Sequence, residues 1–286
     1  MDDTSTIVTS PNVENFETKI DNIFGDINNW FKVNQLILNY NKTHYLHFNM
    51  KNSWDYDLKL NYQGNYIKSS SNTKFWGLII ENSLSWEAHI NQIMSKLNTA
   101  CFVIRTIEAI MSPETLRMVY FAYIHSIMSY GIILGGNQPY SHKIFKIQER
   151  VIRIITSSRM RESCREVFKK LELLPLYSQY IFSISIFVMK NKHFFYTNNQ
   201  IQLIHTRFKT NLHPPTANLT KFQKGAYYSA INLFSNLLHN IKDLANKIVP
   251  FQNALKRFLL INSFYNSKEY FNYQKYSIEN CIDNWF

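Results

Sequence analysis

Residues 141–156 have the sequence SHKIFKIQERVIRIIT, in which apolar side chains recur every three or four positions. This spacing predicts an amphipathic helix whose apolar face packs on a core. The apolar face consists of Ile144, Ile147, Val151 and Ile154. A row of cations beside it consists of Lys143, Lys146, Arg150 and Arg153. The segment therefore predicts a helix that holds positive charge next to a buried face.

Helical patterns continue towards the N-terminus of this segment. Residues 86–111 carry an apolar stripe with helical spacing. Residues 112–114, Ser-Pro-Glu, combine an N-cap residue, a proline at the first helical position and an acid near the positive end of the helix dipole. They predict a helix that runs to about Tyr130 and breaks at Gly131.

The C-terminal half is also expected to be helical, with one irregular stretch. Helices are predicted over residues 163–174, 176–189, 227–248 and 251–264. Residues 191–224 show no periodicity and contain Asn-Asn and Pro-Pro pairs, which predict irregular structure. We therefore expect a helical region over residues 85–190 and an irregular and helical region over residues 191–286.

The first 84 residues have a different pattern. Residues 12–34 predict a helix, whereas residues 45–48, 58–62 and 74–80 have the composition of short strands. The fold class is therefore expected to be α+β and predominantly α, with an N-terminal part, residues 1–84, made of a helix plus a few antiparallel strands.

The composition excludes several classes of protein. A chain of 286 residues with 45% hydrophobic and 15% aromatic content is too apolar to be disordered, and only seven Gly and seven Pro argue against a sandwich or barrel with many tight turns. Residues 1–100 contain 8 Lys and Arg against 10 Asp and Glu, whereas residues 101–286 contain 23 against 10. Such a basic C-terminal part fits either a nucleic-acid partner or an ordinary solvated helical surface.

The three cysteines, Cys101, Cys164 and Cys281, form no CxxC pair, and their number does not fit a disulfide framework. The chain opens on acidic residues rather than on a signal segment, and its most apolar run, residues 180–189, is shorter than a membrane span. We expect an intracellular protein with no disulfide partner and no membrane segment.

Several short motifs follow one another in a fixed order along nearly the whole chain. They are MDDT (1–4), LNYNKT (38–43), KFWG (74–77), LSWEAHI (84–90), KLN (96–98), SIMSYG (126–131), QERVIR (148–153), SCR (163–165), HTR (205–207), FYNS (264–267) and EYF (269–271). This series resembles the C-terminal portion of the reverse transcriptases of non-LTR retrotransposons, the LINE-type, jockey-like family. The resemblance implies the end of a polymerase palm over residues 1–84, a thumb over residues 85–190 and a post-thumb region after it.

The resemblance also implies a set of functional residues. Asp2 and Asp3 would be carboxylate ligands of the two catalytic Mg²⁺ ions, and Lys42 would lie near the incoming triphosphate. Residues 75–77, which are Phe75, Trp76 and Gly77, would lie near the primer end. The cationic row at residues 143–153 would follow the backbone of the RNA template and DNA primer. The family implies a location in the nucleus or in a cytoplasmic ribonucleoprotein.

Other interpretations of the same residues stay open. The chain fits a basic helical module that binds RNA or DNA without catalysis, or a genomic remnant with no selected role. His44 and His47 suggest a zinc site only weakly, because no cysteine lies near them. A basic group in the irregular stretch is equally compatible with a loop surface and with an RNA contact; it comprises His205, Arg207, Lys209 and His213.

The chain starts at its acidic motif, whereas in the family the first metal-binding Asp and the nucleotide pocket precede that motif. We therefore expect no polymerase activity from this polypeptide alone, because two carboxylates without their third partner hold the cations poorly. The measurement is nucleotide incorporation on a primed RNA template by the purified chain with Mg²⁺. Template-dependent extension of the primer would contradict this expectation.

Overall fold

The computed structural model describes residues 4–10, 13–48, 58–62, 64–159, 162–202 and 211–273. The chain divides into two compact units, Met1–Ala88 and His89–Phe286. Most described residues are helical and the strands are few and short. The prediction of an α+β, predominantly α fold is confirmed at this level.

The first unit contains one long helix and three two-stranded ladders. The helix α1 spans Val13–Val33, and a short 3₁₀ turn spans Tyr40–Lys42. The strands are β1 (His44–Tyr45), β2 (Asn61–Tyr62), β3 (Asn65–Tyr66), β4 (Lys68–Ser69), β5 (Asn72–Phe75) and β6 (Leu78–Glu81). β2 pairs with β3 and β5 pairs with β6, both in antiparallel register.

β1 and β4 pair in parallel, which differs from the predicted antiparallel arrangement. The chain between them contains the β2–β3 hairpin, so β1 and β4 are not joined by the tight turn that makes consecutive strands antiparallel. The N–H of Ser70 extends this ladder by donating to the carbonyl oxygen of Tyr45, at 2.9 Å.

The core of the first unit lies between α1 and these strands. It is formed by Ile20 of α1 with Leu58, Leu60 and Ile67. Half-buried aromatic side chains close its edges: Phe16, Phe24, Tyr40 and Tyr45. The tyrosines add hydrogen bonds, since the hydroxyl of Tyr40 donates to the carbonyl of Tyr66 and that of Tyr45 accepts from the N–H of Leu58. The predicted helix over residues 12–34 is confirmed by α1.

The predicted single strand over residues 74–80 is wrong. The chain reverses there, so that β5 and β6 form a hairpin with Phe75 opposite Leu78. The two turn residues, Trp76 and Gly77, have φ values of +47° and +78°. A two-residue turn with both φ values positive matches the twist of the flanking strands, and glycine adopts it without steric cost.

The remaining described elements are mainly helices. They are α2 (Glu87–Ile107), α3 (Pro113–Val119), α4 (Ser126–Ser129), α5 (Ile132–Gly135), α6 (Ser141–Ile155), α7 (Arg165–Lys170), α8 (Leu176–Lys190), α9 (Asn198–Gln202), α10 (Thr220–Gln223), α11 (Ala226–Ser235), α12 (His239–Lys242) and α13 (Ile248–Asn262). A π-helix, Tyr120–His125, joins α3 to α4 without a break. Ser112 caps α3 as predicted, because its hydroxyl accepts from the N–H of Thr115 at 3.3 Å.

The helix predicted over residues 227–248 is divided in two. α11 ends at Ser235, and the side-chain amide of Asn236 donates to the carbonyl of Asn232 at 2.8 Å. Asparagine side chains compete in this way with the helical hydrogen bonds of the backbone, and α12 begins only at His239.

α8 is the central helix of the second unit. Ten of its 15 residues are buried, and it packs against α4, α5, α6, α11 and α13. A helix that is apolar on nearly all sides belongs in a core, which explains the long apolar run in the sequence. No helix in the described part of the chain combines the length and the apolar character that crossing a bilayer requires. Cys101 and Cys164 are buried free thiols.

A buried amide joins α6 to the start of α8. The side chain of Gln148 in α6 is fully buried, and its Nε2 donates to the hydroxyl of Tyr120 at 2.8 Å and to the carbonyl of Leu174 at 2.9 Å. Its Oε1 accepts from the N–H of Leu176 at 2.8 Å. One side chain thus satisfies two backbone groups at the entry to α8 and one hydroxyl of the π-helix.

We expect Gln148→Leu to lower the free energy of unfolding by about 3 kcal/mol or more, because three buried polar groups lose their partner at once. The measurement is denaturant unfolding followed by far-UV circular dichroism. Gln202→Leu makes the same substitution at an exposed position of α9 and serves as the matched control. Equal unfolding free energies for the two variants would contradict the role given to Gln148.

Candidate nucleic-acid interface

The predicted metal ligands, Asp2 and Asp3, lie outside the residues that the structure describes. Among the described residues, no group of three or more His, Cys, Asp or Glu side chains is placed to hold a metal ion. The Mg²⁺ site therefore stays a prediction from the sequence. The weaker zinc suggestion at His44 and His47 gains no further ligand among the described side chains.

Lys42 and the β5–β6 hairpin lie in one part of the first unit. Lys42 ends the 3₁₀ turn and its side chain is exposed. The Nδ1 of His44 donates to the carbonyl of Lys42 at 3.2 Å. The Nε2 of the same imidazole accepts from the hydroxyl of Thr73 at 2.6 Å. Because Thr73 belongs to β5, this imidazole connects the Lys42 segment to the strand that leads to the hairpin turn.

The hairpin ends in a stacked aromatic pair. The rings of Phe75 and Trp76 are nearly parallel, with an interplanar angle of 13° and centroids 5.1 Å apart. Trp76 is 80% exposed, although tryptophan is usually well buried. The neighbouring cation, Lys74, is exposed as well. An exposed aromatic ring beside a cation is suited to stacking on a nucleic-acid base.

α6 has the amphipathic structure that its sequence predicts. Ile144, Ile147 and Val151 are buried in the core of the second unit, and Ile154 is half-buried. The apolar face is therefore confirmed, and its contacts fix which sides of α6 face outwards.

The predicted cationic row divides into two pairs. Arg153 is half-buried, with its guanidinium 4.0 Å from the carboxylate of Glu149 and donating to the carbonyl of Glu162 at 3.3 Å. Lys143 is also half-buried, with its ammonium 5.0 Å from the ring centroid of Tyr140. The side chains of Lys143 and Arg153 are thus engaged in contacts within the protein.

The other pair of cations, Lys146 and Arg150, is exposed to solvent. His142 precedes them by one helical turn and is exposed too. The three residues are spaced by four positions, so they lie on one side of α6. His142 was not among the predicted site residues, although its spacing from Lys146 and Arg150 is the signal that identifies it. We call these three residues the α6 basic line.

Of the four described cations between the end of α6 and the end of α7, two are paired within the protein. Arg165 in α7 lies 3.0 Å from the carboxylate of Glu269, and Lys169 lies 2.9 Å from that of Glu166. Arg159 is exposed. α7 therefore contributes less free positive charge than its sequence suggests.

The basic group in the irregular stretch is only partly described. His205, Arg207 and Lys209 lie outside the described residues, whereas His213 is half-buried. The Nδ1 of His213 donates to the side-chain oxygen of Asn198 at 3.0 Å. The backbone N–H of His213 donates to the carbonyl of Tyr196 at 2.8 Å. His213 thus has a structural role, because it holds its own segment against residues 196–198.

Comparisons with known proteins provide no family assignment for this chain. No protein-family model, no curated protein and no solved structure matches it.

We expect Arg153→Gln to lower the free energy of unfolding by about 1 kcal/mol, because it removes a hydrogen bond and an ion pair that are partly shielded from water. Arg150→Gln removes the same charge from an exposed site on the same helix and is expected to change the unfolding free energy by less than about 0.5 kcal/mol. Denaturant unfolding of both variants checks this difference, and equal effects would show that the row is not divided as described.

Proposed function

We propose that this chain is the C-terminal portion of the reverse transcriptase of a non-LTR retrotransposon and that it binds the RNA template and DNA primer. The ordered series of motifs over nearly the whole chain supports this assignment. In this proposal residues 1–84 are the end of the palm, residues 85–190 are the thumb and residues 191–286 are the post-thumb region. The family reaction is RNA-directed DNA synthesis.

The α6 basic line is the observation that carries the proposed binding. Lys146 and Arg150 point away from a helix whose other face is buried, so their position relative to the core is fixed. The carboxylate on α6, Glu149, lies beside Arg153 rather than neutralising the line directly. Cations held on one side of a rigid helix attract the phosphates of a single backbone, and such contacts supply most of the affinity of sequence-independent binding.

The first unit supplies a second type of contact in this proposal. Trp76 and Phe75 present a stacked aromatic pair at the end of a hairpin, where the family resemblance implies the primer end. Stacking on a terminal base is independent of sequence because every base has an aromatic face. Lys42, tied to the same hairpin through His44, would neutralise phosphate charge nearby.

We expect the purified chain to bind an RNA–DNA heteroduplex with strong salt dependence. About five phosphate contacts give a slope of log affinity against log salt of roughly −3 to −5, since each contact contributes about −0.7 to −0.9. The double variant Lys146→Gln, Arg150→Gln is expected to make this slope shallower by about 1.4 to 1.8, because it removes two contacts. Fluorescence anisotropy at several salt concentrations measures both slopes.

The matched control is Lys96→Gln, Arg105→Gln, which removes two exposed charges from α2 and changes the net charge equally. The control is expected to keep a slope close to that of the unmodified chain. A slope near zero for the unmodified chain would refute nucleic-acid binding. Equal slopes for the two double variants would refute the placement of the interface on α6.

A further inference from the structure

A cleft of about 170 Å³ opens at the N-terminal end of α6. Its lining comes from four places in the second unit: the loop before α6, the first turn of α6, the start of α8 and the segment after α13. A single buried water needs roughly 10–15 Å³, so the cleft has room for a much larger group. None of the residues that line it is acidic.

Aromatic side chains form the walls of the cleft. They are Phe145 of α6, Tyr177 of α8 and Tyr265 of the segment after α13. The rings of Phe145 and Tyr265 meet edge to face with centroids 4.7 Å apart. The guanidinium of Arg165 lies 4.6 Å from the ring centroid of Tyr265 and also pairs with Glu269. These two contacts of Arg165 hold the Tyr265 ring in place. Burial is the main cause that raises the pKa of Tyr265 to about 12, so its hydroxyl stays neutral.

Carboxamide side chains complete the lining. Asn137 and Gln138 come from the loop before α6, and Asn266 comes from the opposite side. Asn266 is held by Glu269, whose N–H donates to its side-chain oxygen at 3.0 Å and whose carboxylate accepts from its Nδ2 at 3.2 Å. The carboxamides of Asn137 and Gln138 each offer a donor and an acceptor side by side, which matches the edge of a nucleobase.

Gly136 allows the loop to lie low enough to form this cleft. A Cβ atom at this position would lie 2.6 Å from a ring carbon of Tyr180 and 2.7 Å from the carbonyl oxygen of Ile132. Any other residue would therefore push residues 136–138 away from α8. The close approach brings the carboxamides of Asn137 and Gln138 beside the aromatic walls.

The cleft lies at one end of the α6 basic line. Ser141 and His142 contribute to its lining, and His142 is the first residue of the line. Lys146 and Arg150 follow one and two helical turns later. A backbone that follows the line therefore arrives at the mouth of the cleft with one nucleotide next to the aromatic walls.

We propose that this cleft binds the base of an unpaired nucleotide in the nucleic acid whose backbone lies along α6. The inference rests on the proposed function and names a preference within it: a duplex with a single-stranded extension over a fully paired duplex. Unpaired bases are recognised in proteins by this combination of aromatic stacking and contacts to the base edge.

The test compares two heteroduplexes whose paired regions have the same length. One is blunt, and the other has a short single-stranded RNA extension that contains 2-aminopurine. The unmodified chain is expected to bind the extended duplex roughly fivefold or more tightly than the blunt one, as one stacked base provides. The fluorescence of 2-aminopurine is expected to fall on binding, because the base stacks on the aromatic walls.

Two variants examine the cleft itself. Asn137→Met places a longer side chain in the cleft, and Gln138→Ala removes a carboxamide without adding bulk; both are expected to bring the affinity ratio close to one. Asn98→Met, at an exposed position of α2, is expected to keep the ratio of the unmodified chain. Thermal melting by circular dichroism checks that each variant is folded. If Asn137→Met is not folded, the affinity ratio of Gln138→Ala is the test of the cleft.

The outcomes separate the two proposals. Equal affinity of the unmodified chain for both duplexes, with the salt dependence retained, would overturn the cleft as a base site and leave nucleic-acid binding intact. A preference that persists in both cleft variants would overturn it as well. Failure to bind either duplex would overturn the proposed function together with this inference.

Discussion

The buried amide of Gln148 is the constraint on which the arrangement of the second unit depends. Its three hydrogen bonds join α6, the π-helix and the backbone at the start of α8. A buried amide must have its partners, so these elements hold one another in a single register. The outward side of α6, and with it the position of Lys146 and Arg150, follows from that register.

Packing also decides which cations of α6 remain available to a partner. Lys143 and Arg153 lie next to the apolar face, where an aromatic ring, a carboxylate and a carbonyl engage them. Lys146 and Arg150 lie further from the core and stay exposed. Four cations that look equivalent in the sequence thus have two different roles, stabilisation within the fold and charge available to a ligand.

The sequence predicts the elements with strong local signals and not those set by distant contacts. The apolar periods of α1, α6 and α8 and the Ser-Pro-Glu start of α3 are local, and these helices are found where expected. The hairpin at Trp76 and Gly77, the parallel pairing of β1 with β4 and the break at Asn236 depend on φ values and partners that no period encodes. The α6 basic line could be predicted only in part. The spacing identified the four cations of α6, but only their burial in the fold distinguishes the two exposed cations from the two half-buried ones. The cleft joins segments more than 100 residues apart, so no local pattern reveals it.

The π-helix between α3 and α4 has a consequence for how the chain tolerates changes of length. Leu116, Tyr120, Ile124 and Met128 are all buried at strict four-residue intervals, and in an α-helix each such step would rotate the side chain about 40° beyond a full turn. The wider π turn offsets this drift and keeps the four side chains on one face. The π turn thus contains one residue more than the corresponding turn of an α-helix would. Losing one residue there would tighten the coil locally, whereas the same loss within α6 or α8 would turn everything downstream by about 100° and misalign its interior face.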